Sequence, residues 1–481
     1  MSATTLTQPG LRGCVVALTA LLVCACTMGP NYARPDAAAP PAWKELPPHK
    51  DAAPADAAPR GAWWESFSDP VLNDLEAQVV AANQTLRSAE ANYRAARAAV
   101  GVARAGLFPT LGGSVDATRA RRGGGTSGGG GGGSAAAYSA SLDAQWELDL
   151  WGRIRRLVEA AQDTAQASAA DVENTRLSLQ AELAIDYLQL RVADAARRVL
   201  EETVAAYERS LVLTQNRYNA GVAARVDVVQ GEAQLLSARA SLVDIQATRA
   251  QLEHAIAALT GRPPADVTIA PADGVPGVPA IPAGVPSELL ERRPDIAAAE
   301  RRVAAANAQV GAATAAIFPT LTLSASGGFL GSGLANWFSL PNRVWSLGAA
   351  FAGPLFDAGL RESQREQAIA AYDATVADYR QTVLDAFRDV EDNLALLRVL
   401  DEEARVQAEA LRAARESVTL TTNQYRAGLV AFLNVVTVQA VAFSAERTAL
   451  ELTGRQLVAA VNLVKALGGS NEPRTPVAAA R

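Results

Sequence analysis

Four segments of the chain alternate between apolar and polar residues one by one, and this pattern predicts β-strands. The longest segment runs from Tyr138 to Leu150, with Trp146 on its apolar face and Asp143 on its polar face. A side-chain period of two is typical of a strand with two unlike faces. The other segments predict strands at 108–119, 318–329 and 344–356. Their lengths suit tilted membrane-spanning strands, which need roughly 9–11 residues.

The strands form two pairs, and the loops inside the pairs are long. The first loop contains a glycine run at 123–133, and the second extends from Gly331 to Arg343. Long outer loops with short inner turns are usual in outer-membrane barrels. A soluble sandwich with one wet face is the alternative, but four strands make a poor sandwich. Four strands also cannot close a barrel, so closure needs further chains. Four tryptophans suit the aromatic girdles of such a barrel, although each could equally be a core residue: Trp146, Trp151, Trp337 and Trp345.

Long helical segments follow each strand pair. One is predicted from Arg153 to about Asn219 and the other from Leu360 to about Arg426, with no internal proline or glycine. At 1.5 Å per residue each helix would be about 100 Å long. Apolar and small residues recur every three or four positions, which indicates coiled-coil packing. The chain then turns at Gly221 and at Gly428, which suit left-handed helix ends. Helical hairpins are therefore predicted at 153–260 and 360–467.

Shorter helices are predicted before each strand pair. The first begins at Asp69-Pro70, where Asp69 suits the N-cap and Pro70 the first helical position, and it continues to about Gly106. The second begins near Pro286 and ends near Ala316. Pro294 lies inside this second segment and marks a break or a fresh start.

The chain repeats itself, which indicates an internal duplication. Arg217–Val222 reads RYNAGV and is echoed 207 positions later by Gln424–Leu429, which reads QYRAGL. Phe108–Leu111 returns as Phe318–Leu321. Two similar halves usually fold about a pseudo-symmetry axis. The first repeat is placed at 61–261 and the second at 288–468, each with a helix, two strands and a helical hairpin. A proline-rich linker at 262–287 joins them.

The N-terminal region predicts export and a lipid anchor. Residues 1–25 carry one charge, Arg12, then an apolar stretch and small residues, as in a secretory signal. A small residue, Ala25, precedes Cys26, whereas bulky Val23 precedes Cys24, so Cys26 is the predicted acylated N-terminus. An ordinary cleaved signal with incidental cysteines is the alternative. Residues 26–60 are predicted to form a lipid-anchored extended tether, and residues 469–481 a disordered tail.

Composition argues against catalysis and nucleic-acid binding. The formal charge is −6 and becomes −7 without the signal, and the sequence has no basic cluster of the kind that nucleic-acid-binding proteins carry. Two of the three cysteines leave with the signal, so no disulfide framework or cysteine metal site remains. The only histidines are His49 and His254, and the 123–133 glycine run lacks the lysine that ends a phosphate-binding loop. We therefore expect no enzyme activity, no metal and no cofactor.

Several segments together resemble a known family. They are Cys26–Pro35, Trp63–Pro70, the two Phe-Pro-Thr-Leu segments, Asp149–Gly152 and Arg217–Val229. In this order they are similar to the outer-membrane factors of tripartite pumps, the TolC-like channels. The match extends over residues 26–468 and is nearest to the NodT-type lipoprotein subgroup of RND efflux systems. The resemblance implies a mainly α protein with membrane β structure that assembles as a homotrimer. Twelve strands would form an outer-membrane β-barrel, continued by a periplasmic α-barrel of twelve helices.

The resemblance also implies a function and a set of sites. The chain would be the outer-membrane channel subunit that exports drugs or other small toxic compounds from the periplasm. Its partners would be a periplasmic membrane-fusion adaptor, an inner-membrane pump and the membrane lipid around acylated Cys26. The helix-hairpin ends would form a periplasmic gate at Arg225, Asp227, Asn434 and Thr437. The adaptor would contact the turns at Asn219, Ala220, Gly221, Val222, Arg426, Ala427, Gly428 and Leu429.

Details of the gate and of the cargo stay open at this level. Arg225 and Asp227 could form ion pairs between protomers, or they could be solvated charges at a helix end. Many relatives have an aspartate where Thr437 stands, which puts a carboxylate ring in doubt. Type I protein secretion and metal efflux use similar channels. Outside the channel class, the alternatives are a periplasmic coiled-coil structural lipoprotein and a secreted enzyme.

Overall fold

The structure, a computed structural model, describes residues 27–36, 40, 42–45, 62–121, 134–272, 274–281 and 292–469. The predicted signal segment, Cys26 and the glycine run at 123–133 lie outside these residues. So do most of the predicted tether, part of the linker and the tail beyond residue 469.

Four antiparallel strands form one sheet. They are β1 (Thr110–Arg121), β2 (Ser134–Leu148), β3 (Thr320–Gly331) and β4 (Arg343–Ala352), in the spatial order β1-β2-β3-β4. Ser114 pairs with Ser141 between β1 and β2, and Asp143 pairs with Ser326 between β2 and β3. The two strand pairs of the repeats are thus joined edge to edge through β2 and β3. The outer edges of β1 and β4 have no neighbouring strand among the described residues.

The strands begin and end a few residues away from the predicted bounds. β1 and β3 start after Pro109 and Pro319, because proline has no N–H to donate to a strand ladder. β2 stops at Leu148 rather than at residue 150, since Asp149 leaves the sheet to cap the following helix. Its carboxylate accepts hydrogen bonds from the N–H groups of Ile154 and Arg155, both at 2.9 Å. β4 stops at Ala352, shortly before Pro354.

The short helix of the first repeat is interrupted, so the prediction of one continuous helix was wrong. Helix α1 (Pro70–Ala82) and helix α2 (Gln84–Ala105) are separated by Asn83, which has an extended backbone. The Asn83 Oδ1 atom accepts from the N–H of Leu86 at 3.0 Å, and Nδ2 donates to the carbonyl of Leu259 at 2.8 Å. Asparagine side chains bond readily to nearby backbone groups, and here Asn83 caps the following helix while it also bonds to Leu259. These two bonds favour a break in the helix at Asn83.

Long helices make up most of the described chain. Helix α3 (Arg153–Asn219) and helix α4 (Arg225–Leu259) form the first hairpin, and α3 alone has 67 residues. Helix α5 (Pro294–Ala315) precedes β3, and the described helix begins at the proline itself. Helix α6 (Leu360–Arg426) and helix α7 (Phe432–Ala466) form the second hairpin. None of the described helices has a stretch long and apolar enough to cross a bilayer.

The chain divides into two compact units. The first comprises residues 1–36, 92–169 and 298–379 and contains the sheet and the helix ends that join it. Its buried side chains include Ile154, Val303 and Ala308. The second comprises residues 37–91, 170–297 and 380–481 and contains the helical hairpin ends. Leu183, Tyr187, Ile256 and Leu457 are fully buried in it.

The described part of the predicted tether is docked rather than free. In the first unit, the N–H of Met28 donates to the carbonyl of Trp151 at 3.1 Å, and Asn307 Nδ2 donates to the carbonyl of Pro30 at 3.1 Å. In the second unit, Trp43 is buried and packs edge-on against Phe387, with ring centres 6.0 Å apart. The composition of residues 26–60 predicted an extended tether, but it did not predict that parts of this segment would be held by specific contacts with the folded chain.

Candidate functional site

Each helical hairpin ends in a Schellman turn. In the first hairpin Gly221 has φ 74°, and the N–H of Val222 donates to the carbonyl of Arg217 at 2.9 Å. In the second, Gly428 has φ 76°, and the N–H of Leu429 donates to the carbonyl of Gln424 at 2.9 Å. The left-handed conformation explains why both repeats have glycine at this position. The duplicated sequence therefore makes the same turn twice.

The turns present their side chains to solvent. All eight residues predicted to contact an adaptor are exposed: Asn219, Ala220, Gly221, Val222, Arg426, Ala427, Gly428 and Leu429. Val222 and Leu429 occupy matching positions and are 63% and 74% exposed. Exposed apolar side chains at both turns could contact the helix ends of another protein.

The four predicted gate residues lie in the first two turns of α4 and α7. The Asp227 carboxylate accepts from the N–H of Ala224 at 3.3 Å, so it caps its own helix. Thr437 donates its hydroxyl to the carbonyl of Leu433 at 2.9 Å. Arg225 and Asn434 are exposed. Within the described part of this single chain, Arg225 and Asp227 form no ion pair, and a pair between protomers stays a prediction.

An aromatic cluster joins the two hairpins near their ends, and sequence reasoning missed it. Tyr425 and Phe432 are buried, with ring centres 5.5 Å apart, and Val435 completes the cluster. The Arg217 guanidinium carbon lies 4.6 Å from the centre of the Tyr425 ring, and Nη1 donates to the Tyr425 carbonyl at 2.8 Å. This combines a cation–π contact with a hydrogen bond to the last turn of α6.

Glycine on the first hairpin makes room for this cluster. A Cβ atom added to buried Gly231 would lie 3.2 Å from Leu211 Cδ1 and 3.4 Å from Phe432 Cε1. A larger residue would therefore push Phe432 away from its neighbours. The sequence does contain one signal for this cluster. Tyr218 and Tyr425 are repeat equivalents, but Phe432 stands at the position that corresponds to Arg225 in the first repeat, so only the second repeat has two aromatic residues here.

The two hairpin ends are not equivalent in the folded chain. Tyr425 is 4% exposed, and its repeat equivalent Tyr218 is 38% exposed. Gln424 replaces Arg217 at the matching position and is exposed. Among the described residues, the partly exposed Tyr218 has no cationic side chain over its ring, whereas Tyr425 has Arg217.

A buried polar network stabilises the first hairpin. Tyr187 donates its hydroxyl to Asp69 Oδ2 at 2.6 Å and accepts from Arg191 Nε at 2.8 Å. Arg191 also pairs with Asp194 at 3.4 Å, and Asp194 pairs with Arg249 at 2.7 Å. Desolvation, and then the bond to Asp69, raise the pKa of Tyr187. The phenol therefore stays protonated, and the network has a structural role.

The sheet has one polar face that could line an aqueous path. Ser114 and Ser141 hydroxyls are 3.1 Å apart, Ser141 donates to Asp143 Oδ2 at 2.6 Å, and Ser326 and Ser346 hydroxyls are 2.9 Å apart. Among the described residues, no group of histidine, cysteine and carboxylate side chains could hold a metal ion. The polar face offers hydroxyls and carboxylates along a surface, which suits passage of solutes.

Comparison with known proteins identifies the family. A model of the family "Outer membrane efflux protein" matches residues 76–262 and 285–469, one match in each repeat. The chain belongs to the outer membrane efflux protein family. Its fold is that of the TolC-like outer-membrane channels, with helices on the periplasmic side.

Individual members of the family support this assignment. The chain is 33% identical to the probable efflux pump outer membrane protein TtgC of Pseudomonas putida KT2440, over 94% of each protein. It is also 33% identical to the pyoverdine export outer membrane protein OpmQ of Pseudomonas aeruginosa PAO1, over 93% of this chain and 95% of that protein. The solved outer-membrane channel OprN has a TM-score of 0.86 and 33% identity, over 93% of this chain and all of that one. The protein is an outer-membrane efflux channel component.

Proposed function

We propose that the chain is the outer-membrane channel subunit of an RND-type tripartite pump that exports drugs and other small toxic compounds. The observation that carries the proposal is one sheet with an apolar and a polar face, joined to two helical hairpins of matching length. TtgC is named for an efflux pump and OpmQ for pyoverdine export, which supports small-molecule cargo. The pump would supply the energy, because no nucleotide-binding motif is present in the sequence.

The sheet edges support a trimer. The polar groups of a strand edge cannot stay unpaired in a lipid bilayer, so β1 and β4 need strands from other copies. Three copies would contribute twelve strands to a closed barrel and twelve long helices to a tunnel. Cys26 would carry the lipid anchor next to Thr27, whose side chain packs close to Gly152 at the junction of β2 and α3.

The hairpin ends would form the periplasmic gate and the adaptor-docking surface. Arg225 and Asp227 of one protomer would pair with neighbouring protomers, with Asn434 and Thr437 on the second hairpin facing the same opening. The adaptor would contact the exposed turns around Gly221 and Gly428. Their matching geometry supports contacts of the same kind at both hairpins.

The first experiment is the mass and shape of the detergent-extracted particle. Light scattering should give a trimer, and end-on electron images should show a pore. A monomer or dimer without a pore in a mild detergent would overturn the proposal in favour of a structural lipoprotein. Export of proteins or metal ions, with no effect on drug resistance, would keep the channel and replace the cargo.

Variants at Asp227 test the gate. Asp227→Ala should raise conductance in planar bilayers, because it removes both the helix cap and the charge. Asp227→Asn keeps an oxygen that can accept from the Ala224 N–H while the charge is lost, so it should raise conductance as well. Exposed Glu232 lies on the same helix, and Glu232→Gln is the matched control. Wild-type conductance in Asp227→Asn would assign Asp227 to helix capping alone.

A further inference from the structure

One face of the sheet is apolar over almost its whole height. Paired residues share this face, so the register links Leu111, Ala144 and Ala325 in one row, and Leu148, Leu321 and Phe351 in another. The same face carries Trp146, Leu142, Leu347 and Trp345 at intermediate heights. An apolar face of this kind contacts lipid acyl chains in a membrane barrel.

Arginines interrupt the apolar face at one end only. Arg119 and Arg121 pair with Ala136 and Ser134 at the end of β1, and Arg343 pairs with Phe329 at the start of β4. The strand alternation places all three on the apolar face, and all three are exposed. We call Arg119, Arg121 and Arg343 the arginine rim. The same face carries aromatic side chains level with the arginine rim or two residues below it: Tyr138, Phe329 and Trp345.

The rim lies at the loop end of the sheet. The opposite end connects to helices, since α2 ends just before β1 and α3 begins just after β2. The helices of this family are periplasmic, so the loop end faces the outer leaflet and the cell exterior. Charged residues are costly at the bilayer midplane but cost little near its surfaces, which explains why the arginines occur at the rim alone.

No carboxylate balances the rim. The sequence has no Asp or Glu from Arg119 to Leu142 and none from Thr320 to Phe356, although the whole chain has a net charge of −6. The acidic residues of the strands, Asp116, Asp143 and Glu147, alternate onto the opposite, polar face. Within the described residues, none of the three arginines forms an ion pair. The rim is therefore a local concentration of positive charge beside an apolar surface.

We infer that the arginine rim binds the phosphate groups of a phosphorylated glycolipid in the outer leaflet. Guanidinium groups donate paired hydrogen bonds to phosphate oxygens, and the adjacent apolar rows would contact the acyl chains of the same molecule. The inference rests on the proposed closed barrel. There β4 of one copy adjoins β1 of the next, which brings the arginines of both edges to the same rim.

Native mass spectrometry of the full chain in mild detergent tests the inference. The probe is phosphorylated lipid A, compared with the same lipid after enzymatic removal of its phosphates. The wild-type protein should retain the phosphorylated lipid. The R119Q/R121Q/R343Q variant should lose about tenfold or more in retention, because each surface charge contributes roughly a fivefold factor. The corresponding triple lysine variant should retain more lipid than the glutamine variant and less than wild type, because lysine keeps the charge but cannot donate the paired hydrogen bonds.

A matched control removes three other exposed arginines, Arg94, Arg97 and Arg104 of α2, and should retain lipid like wild type. Equal retention by the R119Q/R121Q/R343Q variant would overturn the inference. Equal binding of the dephosphorylated lipid to the wild-type protein would overturn it too, and this comparison decides even if the variant fails to assemble. The same spectrum gives the subunit number separately from the lipid number, so a failed trimer is distinguished from a failed lipid site.

Discussion

At the residue scale, Glu76 of α1 is the most unusual titratable group. Its side chain is fully buried, and neither carboxylate oxygen has a hydrogen-bond partner among the described residues. Burial alone raises its pKa from 4.5 to about 9. A carboxyl group without a compensating partner avoids the cost of a buried charge by staying protonated. Glu76 therefore acts as a neutral, buried group at neutral pH.

The pKa of Glu76 makes stability depend on pH. Between pH 4.5 and about 9 the folded state keeps a proton that the unfolded state releases. The free energy of unfolding therefore falls as the pH rises through this window, by up to about 1.4 kcal/mol per unit. Glu76→Gln should flatten this slope and be more stable than wild type at pH 8. Thermal unfolding in detergent at several pH values measures this slope, and the variant at exposed Glu90, Glu90→Gln, is the control. An unchanged slope in Glu76→Gln would contradict the assignment.

The repeats illustrate what the sequence can and cannot predict about single residues. Arg191 and Arg398 are repeat equivalents, yet Arg191 is buried in the Tyr187–Asp194 network and Arg398 is exposed beside Glu45. The offset of 207 positions between the repeats gives both residues the same position on the long helix of their hairpin. Burial depends on which other segment packs there, and those neighbours differ because the N-terminal segment and the linker are not duplicated.

At the element scale, the Arg217–Tyr425 contact couples the ends of the two hairpins. Arg217→Ala removes both the ring contact and the hydrogen bond to the Tyr425 carbonyl, which together contribute about 1–3 kcal/mol. We expect faster amide hydrogen exchange at residues 420–432, since the last turn of α6 loses its anchor. Exposed Arg209 lies on the same helix, and Arg209→Ala should leave exchange unchanged. Equal exchange in both variants would show that the contact does not hold the hairpins together.

Periodicity predicted the two longest helices well, including their ends, whereas the predicted strand bounds differ from the structure by a few residues. The hairpin helices α3 and α6 carry one repeating pattern over 67 residues, so local signals agree with packing throughout. The break at Asn83 depends on a bond to Leu259, which is distant in sequence and therefore left no local trace. The aromatic cluster around Tyr425 was missed for the same reason. The gate residues could be located near their turns, but Arg225 has no ion pair among the described residues, and its pairing between protomers stays a prediction.

At the scale of the whole molecule, the outer edges of β1 and β4 have no neighbouring strand among the described residues, so a single chain would be an incomplete membrane structure. Strand edges attract further strands, and in this family the neighbour that completes each edge would be another copy. Membrane insertion and assembly would then be one event. The arginine rim, the polar face and the gate would all be shared features, each built from parts that no single copy supplies.

This shared construction has a genetic consequence. If three copies close each barrel, a cell that makes working and defective chains together assembles mostly hybrids, and fully intact channels fall as the third power of the working fraction. A variant that folds and assembles but cannot export should thus impair export in the presence of the normal gene, whereas a chain that cannot fold should be recessive. Co-expression with a resistance assay measures the difference, and equal dominance of both kinds of allele would argue against mixed assembly.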